Sequence, residues 1–228
     1  MVFSSENHRM VDEYVRLRKV LKTITEECLH LLPKASFLEC AGKLGMARGK
    51  VMVVNDPDAM PLLVEYCLYC FRMGGKTLVE RYVEKTRPSP QSDEMAVCRA
   101  MMDSVFSVFQ IRQVYKGRGV LLHDLFKENE VLLMDLGLGD TAVSETVLVG
   151  RILPLADFHM SAGTLLPLVE EPVVGAVYPI LEKWRLQHPE MGLTRLSPGL
   201  EAAFSAQIIR AALKAGVLDN VRYSEVLE

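Results

Sequence analysis

The feature that most narrows what this chain can fold into is a change of period at Ser104. Ahead of it, apolar side chains recur at helical spacing. From Ser104 to Val114 the residues are rich in Val, Phe and Ile with partial alternation, the pattern of a half-buried strand. Lys116-Gly117-Arg118-Gly119 reads as a turn. Residues 120–126, 130–136, 145–153 and 158–168 follow as strands, with Lys127-Glu128-Asn129 and the Gly137 and Gly139 breaks between them. Short strands joined by tight turns suggest a small barrel of the SH3-like or OB-like kind, five-stranded. Helical spacing returns past Glu170-Glu171-Pro172: residues 177–187 form one helix, and Ser197-Pro198 opens another that Gly216 closes. The predicted class is α+β, with a helical part over 1–103, the barrel over 104–170 and a helical segment over 171–228.

The helical part opens on one apolar seam. Met10, Tyr14, Leu17, Leu21, Ile24, Cys28 and Leu31 repeat at alternating steps of four and three, and Pro33 ends the helix. Val11, Val15 and Val20 lie beside or off that seam, enough apolar surface for a second neighbour, and a homodimer through this helix is one expectation. A short helix from Lys34 to Leu44 follows, then the β-branched run Val51-Met52-Val53-Val54. Asn55-Asp56-Pro57 reads as a cap for a helix running to Met73, and Gly74-Gly75 breaks it before a second piece. Arg87-Pro88-Ser89-Pro90 is the best linker, and residues 93–102 form one more helix.

Charge excludes some partners. The 26 Lys and Arg against 29 Asp and Glu leave a net charge of -3, so no global attraction to nucleic acid follows. Residues 105–175 hold 5 basic and 9 acidic side chains, the wrong sign for a barrel that grips phosphates. Residues 1–18 lack the apolar core of a secretory signal, and no stretch reaches the roughly 20 apolar residues of a membrane span. Five cysteines, an odd number in a chain large enough to need no staples, read as reduced thiols of a cytoplasmic protein.

A helical N-terminus with Leu44-Gly45-Met46, then the run from Gly117 to Phe126 and a closing Ser161-Ala162-Gly163-Thr164-Leu165-Leu166-Pro167-Leu168, resembles a group of uncharacterised bacterial proteins, over about residues 29–168. Some members of that group carry a C-terminal SEC-C type zinc segment. No cysteine follows Cys98 here, so the resemblance implies neither a metal role nor an activity.

Several local patterns bear on chemistry. Gly75-Lys76-Thr77 matches the end of a phosphate-binding loop, but Cys70 stands where the first glycine belongs and a helix precedes it. Cys67 and Cys70 have metal-site spacing without a second ligand pair, and read as core thiols. His123-Asp124, with Asp157 and His159, could form a divalent-metal site if the barrel gathered them. Cys40 or Cys98 as nucleophile, with His30 or His159 as base, has no local signature. Residues 36–52 read partly as a helix-turn-helix, with Gly45 at the turn and Arg48 and Lys50 facing phosphates. Val51 to Val54 are poor helix formers, so helix, turn and strand is the plainer reading.

The residues thus favour a non-catalytic interaction or adaptor protein that takes a protein partner and no cofactor. A DNA-binding regulator using residues 36–52 comes second, and a metal-dependent hydrolase at His123 and His159 third.

Overall fold

The computed structural model describes residues 2–53 and 56–220. Helix α1 (Val2–His30) carries the apolar seam on a single face: Tyr14, Leu17, Leu21, Ile24 and Cys28 are all buried. Their neighbours come from the same chain. Leu68 of α3 (Met60–Tyr69), Leu78, Val79 and Tyr82 of α4 (Leu78–Thr86), and Val97, Cys98 and Met101 of α5 (Asp93–Met102) complete this core. Val11, Val15 and Val20 pack on the same cluster. The seam that suggested a second copy is therefore filled by α3, α4 and α5.

Helix α2 (Lys34–Lys43) follows Pro33 and ends at Gly45, whose φ of 78° suits a residue without Cβ. The chain then forms a small antiparallel hairpin, β1 (Ala47–Arg48) and β2 (Val51–Met52), turning at Gly49. Helix, turn and strand is thus what residues 34–52 adopt, and no recognition helix follows α2. Asp56 caps a single 3₁₀ turn, Pro57–Ala59, by accepting from the Asp58 N–H at 2.9 Å. Val54 and Asn55, the end of the predicted strand and the start of the predicted cap, lie outside the described residues. Helix α3 stops at Tyr69 instead of running to Met73, because the chain turns back at Gly74 and Gly75 with Met73 and Lys76 bridged.

The change of period at Ser104 marks the start of a closed barrel. Its strands are β3 (Val105–Tyr115), β4 (Gly119–Asp124), β5 (Glu130–Met134), β6 (Val147–Pro154) and β7 (His159–Pro167). β3, β4 and β5 form an antiparallel meander. β6 pairs back onto β3, and β7 pairs with β6 and closes in parallel against β5. That order, with a helix between the third and fourth strands, is the OB-like one of the two expected arrangements. The helix is α6 (Leu136–Thr141), where the glycines predict only a break. Leu138 and Ala142 pack on the barrel interior of Phe109, Ile111, Val120, Leu122, Leu133 and Leu148. Gly139 lets α6 approach so closely that a Cβ there would lie 2.7 Å from the backbone nitrogens of Arg118 and Gly119.

Helix α7 (Glu171–Gln187) begins six residues earlier than its apolar spacing predicts, with Pro172 in its first turn. α8 (Pro198–Lys214) spans the predicted last helix. Both pack back on the chain. Val173, Val177 and Trp184 of α7, with Phe204 and Ile208 of α8, share one core with the outer barrel face at Phe106, Val108, Val149 and Leu166 and with Leu63 and Tyr66 of α3. Among the described residues, no helix is long and apolar enough to cross a membrane.

Because the seam of α1 is internal, Leu21→Ala should cost about 3 kcal/mol in chemical denaturation. The double variant Leu17→Glu/Leu21→Glu should lose its cooperative thermal transition by circular dichroism. A soluble, folded particle of half the wild-type mass would instead place the seam between copies.

Candidate functional site

Two charged groups that stand alone in apolar runs meet inside the molecule. Arg151 interrupts Val147-Leu148-Val149-Gly150 and Ile152-Leu153 on β6, and Glu65 interrupts the otherwise apolar α3. Arg151 points off the outer barrel wall and its side chain is 2% exposed; that of Glu65 is 6% exposed. An unpaired buried charge is strongly destabilising, so the surroundings must answer both. Arg151 Nη1 lies 2.5 Å from Glu201 Oε1 of α8 and donates to Ser104 Oγ at 3.1 Å. Its Nε is 3.9 Å from Glu65 Oε1, and the guanidinium lies 4.8 Å from the centre of the Tyr69 ring. Cys70 Sγ is 3.8 Å from Nη2. The β6–β7 pairing shifts register between Gly150 and Ile152, and Glu65 Oε2 accepts from the Thr164 N–H at 3.3 Å within that irregularity.

Burial decides the state of Glu65. Arg151 faces two carboxylates, of which Glu201 holds the short contact, and the half-exposed Arg195 also reaches Glu201, its Nε 3.8 Å from Oε2. Burial raises the Glu65 carboxyl to about 7 against the opposing pull of Arg151. Burial also raises the Cys70 thiol to about 11, keeping it protonated. The centre lies between β6, α3 and α8, meeting solvent at the Glu201 edge, where Arg195 covers it, and it joins these elements.

The residues singled out by the sequence are placed elsewhere and apart. Asp124 ends β4 as a buried acceptor: its Oδ1 takes the Ser107 hydroxyl at 2.8 Å and the N–H groups of Phe126 and Lys127 at 2.9 and 3.1 Å. His123 pairs across β4 with Gln110 and Glu130, whereas His159 pairs with Leu133 at the start of β7 and Asp157 is exposed in the loop before it. Burial lowers the His159 pKa, and its Nδ1 has no hydrogen-bond partner. Among the described residues, no three His, Cys, Asp or Glu side chains gather into a group that could hold a metal ion. Gly75-Lys76-Thr77 is a helix start: Thr77 and Glu80 form a reciprocal capping box on α4, and Lys76 pairs with Glu84. The two cysteines of Cys67-Leu68-Tyr69-Cys70 diverge. Cys67 shares a hydrogen bond with Cys40 of α2, which lowers the Cys40 pKa and raises that of Cys67, while Cys70 faces Arg151. Burial lifts Cys98 to about 12, so it stays a thiol.

Arg48 and Lys50 lie exposed on and beside the β1–β2 hairpin. Arg48 borders a cleft of about 690 Å³ between that hairpin and the end of α8. Leu44, Met46, Ala59 and Leu218 are buried beneath it, and Arg48, Arg210 and Lys214 surround it. None of these three cations has an ion-pair partner among the described residues. Sequence reasoning reached Arg48 but not Arg210 or Lys214, which arrive from a helix over 150 residues away. It also passed over Arg151 and Glu65, although a lone charge inside an apolar run is a readable sign of an internal pair.

The acidity of Glu65 gives a signed prediction. Between pH 4.5 and about 7 the folded protein holds a proton that the unfolded chain releases, so stability falls as pH rises through that window. A shift of that size is worth about 3 kcal/mol. Thermal melts of Glu65→Gln should lose this slope relative to wild type. Arg151→Met, which removes the short partner of Glu201, should cost about 3–5 kcal/mol at pH 8.

Comparison with curated proteins and with solved structures finds no match. A family model does match, over residues 8–169, from α1 to the end of the barrel. The chain belongs to that family, a family of unknown function designated DUF7986.

Proposed function

We propose that the chain is a non-catalytic interaction module, an adaptor, whose contact surface is the cleft between the β1–β2 hairpin and α8. One observation carries this reading: the cleft sets three cations, none ion-paired among the described residues, around an apolar floor. Reaction chemistry needs a nucleophile or an acid–base pair within reach of a substrate. Among the described residues, the single acid lining the cleft, Asp56, is engaged in capping its own 3₁₀ turn. Groups whose acidity the fold shifts far, among them Glu65, Cys28, Cys67 and Cys98, are buried inside, between elements. Val51 and Val53 on the hairpin are 64% and 39% exposed, which adds apolar surface next to the cleft.

A photo-crosslinking side chain placed at Val51 tests the reading in lysate of the source cells. Wild type should yield discrete cross-linked products that are absent from the Arg48→Glu/Lys214→Glu variant. Identical products from the two proteins, or none from either, would overturn the assignment.

A further inference from the structure

We infer that the partner seated in this cleft is an acidic protein segment carrying apolar side chains, an inference that rests on the interaction reading above. The charge count favours it. Among the described residues, Arg48, Arg210 and Lys214 contribute three positive charges, and Asp56 contributes one negative charge. The C-terminal ends of α2 and α8 also border the cleft, each worth about half a negative charge. A net positive cleft therefore remains in a chain whose total is -3. Local sign opposes global sign, so an anionic partner is drawn to this place and repelled from much of the rest.

The shape of the cleft specifies more than charge. Leu44, Met46 and Leu218 form a floor that is 1%, 4% and 9% exposed, and apolar side chains spaced between acidic ones would reach it. Arg210 lies over Gly45, where a Cβ would stand 3.3 Å from Nε. A side chain at residue 45 would displace that guanidinium. The volume falls within the usual 300–1,000 Å³ of binding sites, enough for a few side chains. Nucleic acid fits less well, because among the described residues no aromatic side chain lines the cleft to stack a base.

The test uses the full chain and a fluorescein-labelled peptide alternating glutamate with leucine, read by fluorescence anisotropy. Wild type should bind it. Arg48→Glu and Arg210→Glu, both at exposed positions and checked for unchanged melting, should each weaken binding about tenfold, and added salt should weaken it as well. Replacing leucine by serine in the peptide should also abolish binding. The inference is overturned if a lysine–leucine or glutamine–leucine peptide binds as tightly, or if single-stranded oligothymidine binds more tightly. It is overturned equally if wild type binds none of these probes, or if neither charge reversal changes the affinity. Each of these outcomes leaves the Val51 cross-linking result intact, so failure of the acidic partner and failure of the interaction role are separable.

Discussion

The guanidinium of Arg151 cannot be moved into the interior alone, and that constraint organises the molecule. The effective cost of burying an ion is several kcal/mol, so a fold that buries one must bring partners to it. Here they come from both sides of the barrel in sequence: Glu65 from α3 ahead of it and Glu201 from α8 beyond it. Tyr66, also on α3, donates to the Ala202 carbonyl of α8 at 3.3 Å, so the same two helices meet again beside the ion pair. Hydrophobic contacts around them supply most of the stabilisation, through Phe106, Phe204, Leu63 and Trp184. Apolar packing is tolerant of small shifts. An ion pair at 2.5 Å is not, and it sets where α8 lies along the barrel wall.

A second polar layer attaches α1. Asp135 caps α6 through the Leu138 N–H at 3.1 Å and accepts from the Ser161 hydroxyl at 3.0 Å. Arg18 of α1 donates to the Ser161 carbonyl at 2.5 Å. One residue of β7 thus links the first helix, the barrel and its capping helix. With the outer wall covered by α1 and α5 on one side and by α3, α7 and α8 on another, the barrel serves as a hub on which helices are arranged.

Most of this architecture was legible in the sequence because it rests on period. The seam of α1, the start of the barrel at Ser104 and the glycine and proline stops of α4 and α8 are local signals, and each element lies close to its predicted place. The misses are tertiary. Helix α6 is six residues with two glycines, a poor helix on propensity, and it forms because Asp135 caps it and the open end of the barrel receives Leu138. The cleft was half visible: Arg48 stood out on the hairpin, but nothing in the spacing of Arg210 and Lys214 says that α8 returns there. The candidate metal residues His123, Asp124, Asp157 and His159 share a barrel but not a point in space, because strand pairing sets His123 opposite Glu130 and His159 opposite Leu133.

The late position of Glu201 has a consequence for synthesis. Glu65 leaves the ribosome before Arg151, and Glu201 is polymerised 50 residues after it, an interval of roughly 3–10 s at ordinary elongation rates. During that time Glu65 is the one carboxylate of the final centre already polymerised. When α8 arrives, Glu201 takes the short contact at 2.5 Å and Glu65 is left at 3.9 Å from the guanidinium. A single carboxyl is thus first partner to Arg151 in the nascent chain and second to Glu201 in the finished one.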